Sequence, residues 1–452
     1  MNVAEYLLTR LRESGLRHIF TVPGDYAMGF LNALDASSAI QRVGNVNELG
    51  CGYAADGYAR FQGVGAACVQ YGVGSFSLLN CTAGSYVERV PVVVISASPK
   101  VSDRELERWK GILFHHSTGD LRADQTVFEN VTVAAEIVTD PLRAPAQIDA
   151  AITAMLTHRR PIYIEGVADV WTRGCAEPQG TLAALPPASN DESVAAAVEA
   201  AWKRIQAAER PVIWAGVQIA RFGLADQLQR LVDASGMPFT TTSLGKTVLD
   251  ETQEQFVGTY AGPASPALTR AVMAETDCPV ALGTIITDDY LDIMRSSFGA
   301  MIEVNDEECR IGYEYYRRVP LDRMLAGLVE RAEAGSRRTY IRPDVPAETK
   351  IAPAPDDPLT YNVFYAELSG FLAAEGLLDE VVLVLGESTS LYVFGNLCGL
   401  PRDSFVSQAA WGSLGHETGC ALGVALASGK RPIVVAGDGG FRMICQELSS
   451  LA

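Results

Sequence analysis

From Val3 to Gly440 the chain alternates helix-period segments with short β-branched runs, and this alternation constrains its fold more than any other feature. "VAEYLLTRLRES" reads as a helix closed by Gly15, "HIFTV" as a strand, Pro23-Gly24-Asp25 as a turn and "AMGFLNALDA" as a second helix. "GAACVQY", "VPVVVISA" and "PIYIEGV" are continuously apolar, the mark of strands covered on both faces and therefore of a parallel sheet between helices. At 452 residues the chain is too long for one core. Two aperiodic stretches, "TRGCAEPQGTLAALPPASNDES" and "RPDVPAETKIAPAPDDP", read as linkers and divide it. The expectation is α/β architecture with three doubly wound parallel-sheet domains, at residues 1–180, 190–340 and 356–452. In the second, "VAAAVEAAWKRIQAA", "PVIWAGV", "PVALG" and "MIEVN" continue the alternation; in the third, "YNVFYAELSGFLAAEG" and "EVVLVLGE" do.

Charge narrows the partners. Lys+Arg number 36 against Asp+Glu 54, so the net charge of −18 repels phosphate backbones and anionic lipid alike. Neither nucleic acid nor a membrane is an expected partner, and the longest apolar runs fall short of the roughly 18 residues of a spanning helix. A cytoplasmic location is expected. The nine cysteines have no CxxC spacing and read as buried free thiols rather than disulfides or a zinc site.

Several motifs carry possible chemistry. "LGKT" at Leu244 to Thr247 lacks the first glycine of a phosphate loop, and "YGVGSF" lacks the third glycine of a dinucleotide fingerprint; both are set aside. In "VVAGDGGFRM" a β-branched run ends in Gly437-Asp438-Gly439-Gly440 before a helix, a turn whose N–H groups suit an anion. Asp438 there would repel a phosphate unless a cation such as Mg²⁺ or Ca²⁺ lay between them. In "NVNELGCGYAADGYARFQG", Glu48 opens a helix of small residues that looks packed against another backbone, as a second subunit could supply. "FHHSTGD" sets His115 beside His116 in a chain with five histidines.

Taken in order, "TVPGDY", "NELGCGYAADGYAR", "YGVGSFSLLNCTAGSYVERVPVVVISASP", "FHHSTGD", "GTYAG", "LGTIITDD", "WGSLGHETGCALGVALA" and "GDGG" resemble the thiamine diphosphate enzymes, within them the pyruvate and indolepyruvate decarboxylases. The resemblance covers essentially the whole chain. It implies non-oxidative decarboxylation of a 2-oxo acid to an aldehyde through ylid and enamine intermediates, with thiamine diphosphate and Mg²⁺ as cofactors. Glu48 would hydrogen-bond the cofactor's aminopyrimidine, Leu414 would wedge between its rings, and the Gly412 carbonyl would accept from its exocyclic nitrogen. Asp438 would bind Mg²⁺, Gly437, Gly439 and Gly440 would face the diphosphate, and Ser388 and Ser390 would contact the cofactor. Asp25, His115 and His116 would handle protons. The resemblance further implies a homodimer or a tetramer of dimers with active sites shared between subunits.

The sequence departs from the family in places. The asparagine and backbone carbonyl that complete the metal motif, and a catalytic glutamate beyond them, have no counterpart after Gly439, so the third domain is expected to be incomplete. Thr389 and Leu391 stand where glycine and serine are frequent, Arg89 where a weakly basic or uncharged residue is usual near the site, and His416 is unusual. Carboligation to an acyloin, or a non-catalytic scaffold role, are the alternative functions.

Overall fold

The computed structural model describes residues 1–345, 354, 356, 358–394 and 397–451. Most of the second linker lies outside them. Within the described chain two compact units form, one from residues 1–186 with 411–452 and one from residues 187–410.

The first unit opens with α1 (Val3–Glu13), whose cap Asn2 and third residue Glu5 satisfy each other's backbone N–H. Then come β1 (His18–Thr21), α2 (Met28–Ala36), β2 (Gln41–Gly44), α3 (Glu48–Gln62), β3 (Gly65–Gln70), α4 (Val73–Val87) and β4 (Val92–Ser98). The series continues with α5 (Val101–Lys110), α6 (Ala123–Phe128), β5 (Ala135–Val138), α7 (Ala144–His158) and β6 (Ile162–Val167). All six strands pair in parallel in the order β2-β1-β3-β4-β6-β5. Every residue of β3, β4 and β6 is buried, which is why these strands read as unbroken apolar runs.

In the second unit α8 (Asp191–Ala207), β7 (Pro211–Ala215), α9 (Gln218–Arg221), α10 (Ala225–Ser235), β8 (Phe239–Thr242) and β9 (Phe256–Tyr260) come first. They are followed by α11 (Ala267–Glu275), β10 (Cys278–Leu282), α12 (Leu291–Ser297), β11 (Ile302–Val304), β12 (Cys309–Ile311), β13 (Glu314–Tyr316) and α13 (Leu321–Ala334). The sheet runs β13-β12-β11-β10-β7-β8-β9, antiparallel only at the β11-β12-β13 end. Side chains alternate across it, so Ile213 and Ala215 join one core while Val212 and Trp214 join the other. The unit also holds α14 (Tyr361–Ala374), β14 (Val381–Leu385), α15 (Thr389–Tyr392) and β15 (Phe405–Ser407), with β14 and β15 parallel. The set-aside "LGKT" proves structural: Lys246 Nζ donates to both Glu251 oxygens at 2.8 and 2.9 Å, fully buried.

The chain then returns to the first unit with α16 (His416–Ser428), β16 (Arg431–Val435) and α17 (Asp438–Ile444). Close packing of α16 along α3 brings residues 411–452 there.

In the first sheet the chain passes from β1 outward to β2 and then back to β3, a switch point at which the loops leaving β1 and β3 diverge and open a crevice at the strand ends. The equivalent edge of the second sheet is filled by protein. A Cβ on Gly216 would lie 2.2 Å from the Gly283 carbonyl, and Gln218 bridges to Asp306 at 2.7 and 2.9 Å.

Candidate active site

The residues leaving β3 organise the switch point. Gln70, the last residue of that strand, donates through Nε2 to Asp25 Oδ1 at 2.6 Å, and the Tyr26 N–H donates to the same oxygen at 3.0 Å. Gly24 has no room for a side chain, since its Cβ would lie 2.3 Å from Gln70 Oε1. Asp25 is thereby fixed in an exposed loop at the carboxyl end of β1.

Tyr71 follows. Its hydroxyl donates to the His115 carbonyl at 2.6 Å, and its ring meets that of His116 edge-on at 6.1 Å between centroids. Gly72, at φ +63°, would clash with the His116 carbonyl at 2.1 Å if it carried a Cβ. Its N–H donates to Asp124 Oδ2 at 2.8 Å, and Ser75 Oγ donates to the same atom. Both histidines are exposed, with ring centroids 6.3 Å apart. The far end of their loop is held by Ser117 donating to the buried Glu107, and Arg104 donates to the Leu121 carbonyl at 2.6 Å and to buried Glu165 at 2.9 Å. Burial raises the Glu165 carboxyl above its ordinary range, against the pull of Arg104. The hydroxyl of Tyr71 therefore positions a backbone rather than a reacting atom. Tyr71→Phe is expected to reduce kcat about three- to tenfold, the worth of one net hydrogen bond, with a smaller change in KM; steady-state kinetics check this, and an unchanged kcat would remove the role.

Glu48 begins α3, behind the cap Asn47, which accepts from the Gly50 N–H at 2.8 Å. Its Oε1 lies 3.5 Å from where a Cβ on Gly74 would stand, so the same turn after β3 that holds Asp25 and the histidines also flanks Glu48. Beside it, buried Glu447 accepts from Asn45 Nδ2 at 3.1 Å and from the Asn47 N–H at 3.2 Å. The small residues of α3 do face another backbone, and within the described chain that backbone is α16: a Cβ on Gly57 would lie 2.4 Å from the Cys420 carbonyl.

Gly412 (φ +68°) and Gly415 (φ +92°) bracket Leu414, a large apolar side chain left 42% exposed. Asp438 opens α17, exposed, with Gly439 beside it. A Cβ on Gly437 or Gly439 would meet nothing within 4 Å, and neither has positive φ. Packing does not account for these glycines; close approach of a phosphate would. Ser388 and Ser390 belong to the other unit. Ser388 is exposed at φ +72°, whereas the buried Ser390 donates through Oγ to the Gly386 carbonyl at 2.7 Å.

Comparison with known proteins decides the family. The model of the thiamine pyrophosphate enzyme N-terminal TPP binding domain matches residues 1–126, that of the central domain residues 198–323, and that of the C-terminal TPP binding domain residues 390–452. An alpha-keto-acid decarboxylase of Mycobacterium leprae is 32% identical over 460 residues, spanning 99% of this chain and 78% of the relative. A pyruvate decarboxylase of Aspergillus fumigatus is 30% identical, spanning 100% of this chain and 79% of the relative, and pyruvate decarboxylase isozyme 3 of Saccharomyces cerevisiae is 29% identical, spanning 100% and 81%. The chain belongs to the thiamine diphosphate-dependent 2-oxo acid decarboxylases.

For a decarboxylase of this family two departures now have an address. Arg89 lies away from Asp25, His115 and His116: it is buried between α4 and β4, at the amino ends of the strands, where its Nη1 donates to the His158 carbonyl at the end of α7, 3.5 Å away. Adjacency in sequence to the segment after β3 misled, because α4 carries the chain the full depth of the sheet before Arg89. His416 is also buried, with Nε2 2.8 Å from Asp56 Oδ1. Burial opposes its charge, but the Cys420 sulfur and the Asp56 carboxylate outweigh it and raise the imidazole to about 10. Gln70, Tyr71 and Glu447 were not legible as site residues. The signal for the first two was their place directly before the two glycines of "YGVG", at the end of a strand.

Proposed function

We propose that the chain decarboxylates a 2-oxo acid to its aldehyde, non-oxidatively, with thiamine diphosphate bound at the switch point of the first unit. The observation that carries this is the convergence of Asp25, Glu48, His115 and His116 on one turn, Gln70 to Gly74, which touches or flanks all four. Thiamine diphosphate, when bound, supplies the carbon nucleophile that attacks the 2-oxo carbonyl and holds the electron pair released with carbon dioxide.

The chain's own residues do the rest. Glu48, at the start of α3, would hold a proton at the cofactor's aminopyrimidine, and Leu414 and the Gly412 carbonyl would hold and orient the cofactor. Asp25, His115 and His116 deliver and remove protons on the substrate side, work suited to imidazoles near neutral pH. Asp438 is the proposed Mg²⁺ ligand, with Gly437, Gly439 and Gly440 against the diphosphate, and Ser388 and Ser390 as further cofactor contacts. A cation on Asp438 would bridge this carboxylate to the diphosphate. A homodimer or tetramer with shared sites, in the cytoplasm, completes the reading. The charge of −18, which repels phosphate backbones and anionic lipid, supports leaving nucleic acid and membrane out of it.

Calorimetry tests the reading directly. Thiamine diphosphate is expected to bind in the presence of Mg²⁺ and at least about tenfold more weakly without it, with Asp438→Asn losing that metal dependence. Aldehyde and carbon dioxide should then form in equal amounts from a 2-oxo acid, and acyloin as the main product would favour carboligation instead. Metal-independent binding, unaffected by the substitution, would overturn the assignment of Asp438.

A further inference from the structure

Where α3 and α16 meet, small residues let the backbones close up, Gly57 against Cys420 and Gly423 against Ala54, with Tyr53 against Gly419 and edge-on to the His416 ring at 5.3 Å between centroids. A polar pin crosses this contact. His416 and Asp56 are 1% and 0% exposed and 2.8 Å apart, and Asp56 Oδ1 also accepts from Arg60 Nε at 2.7 Å while Oδ2 accepts from Ser85 Oγ at 2.8 Å. Arg60 continues to Glu88 Oε2 at 2.6 Å, and Glu88 Oε1 accepts the Trp411 N–H at 3.1 Å. The loop from Trp411 to His416 is thus tied at both ends to one buried charge network. Between the ends, Ser413 Oγ lies 2.5 Å from the Tyr53 hydroxyl and accepts from Asn80 Nδ2 at 2.8 Å.

A buried ion pair contributes little net stability, because desolvation offsets its attraction, but it does fix register. A phenylalanine would fill the volume of His416 without that cost. The tied segment contains Gly412 and Leu414, and its two positive-φ glycines leave it few conformational restraints of its own.

We infer that His416 is a positioning residue for the decarboxylation: through Asp56 it pins the segment Gly412–Gly415 in the register that lets Leu414 and the Gly412 carbonyl grip the cofactor. This rests on the reading of those two residues as cofactor contacts, whichever subunit supplies Glu48 to the same cofactor. His416 itself touches no substrate or cofactor atom in this scheme.

The test uses the intact protein saturated with thiamine diphosphate and Mg²⁺, and reads hydrogen–deuterium exchange at the cofactor's thiazolium C2 together with thermal unfolding. His416→Phe is expected to slow C2 exchange about tenfold at saturation. His416→Gln, whose Nε2 can still donate to Asp56, should stay within about twofold of the parent. Ser85→Ala removes a different bond to Asp56, away from the loop. It should lower the unfolding temperature comparably to His416→Phe while leaving exchange within about twofold. The inference is overturned if His416→Phe exchanges like the parent, or if Ser85→Ala slows exchange as much, which would make the network a matter of stability alone. Should His416→Phe not fold, His416→Asn, too short to reach Asp56, carries the same comparison. Failure of the unsubstituted protein to bind the cofactor would strike the functional reading first and this inference with it, an outcome distinct from normal binding with unaltered exchange.

Discussion

Glu48→Gln is expected to lower kcat by about 10³-fold while weakening thiamine diphosphate binding far less, on the order of tenfold. A neutral amide fills the same volume at the start of α3, so the cap Asn47 and the contact with the Gly74 turn should persist. What is lost is a group that can share a proton with the aminopyrimidine ring, an interaction needed while the reactive carbon is generated rather than while the cofactor is merely held. The two quantities must therefore separate. The rate of C2 exchange, measured at saturating cofactor, should fall in parallel with kcat, and the unfolding temperature of the cofactor-free protein should stay within a few degrees. Equal losses in affinity and turnover would mean that Glu48 serves binding, and an unchanged exchange rate would move the proton chemistry elsewhere.

Much of this arrangement could be read before any coordinates. The strands β3, β4, β6, β7, β10 and β14 are short, largely apolar runs with every residue buried, as expected of parallel strands covered on both faces. The candidate acid–base groups were legible because a loop with adjacent histidines, or a carboxylate opening a helix of small residues, has little to gain by packing. What could not be read was the set of side chains that hold them. Gln70 and Tyr71 look like ordinary strand-end residues, and only the order of strands in the sheet places their loop beside Asp25. Arg89 shows the converse error: close in sequence to a site segment, it is separated from it by the length of a helix. The return of residues 411–452 to the first unit also has no signature in any single segment. It follows from two runs of small residues, one in α3 and one in α16, whose complementarity appears only when both are helices and face each other.

That complementarity can be attacked at Gly423, where a Cβ would lie 1.9 Å from the Ala54 carbonyl and 2.5 Å from the Tyr58 nitrogen. Both obstacles are backbone, in the middle of a helix whose other face is packed, so neither can step aside as a flexible side chain would. Gly423→Val should destabilise the first unit by about 3–5 kcal/mol, at the upper end for overpacking because the helices themselves must separate. Substitution at Gly429, with positive φ just beyond α16 and no atom near its Cβ, offers a comparison: Gly429→Ala meets only the cost of its left-handed backbone, about 1 kcal/mol. Urea unfolding of the two variants separates the causes. If the helix contact also fixes the segment that begins α16, Gly423→Val should lose cofactor affinity at urea concentrations where the protein is still folded, because Leu414 and Gly412 move with the helix they precede. A variant that folds with parental stability would show that α3 and α16 are not in backbone contact, and the placing of residues 411–452 beside Glu48 would fall with it.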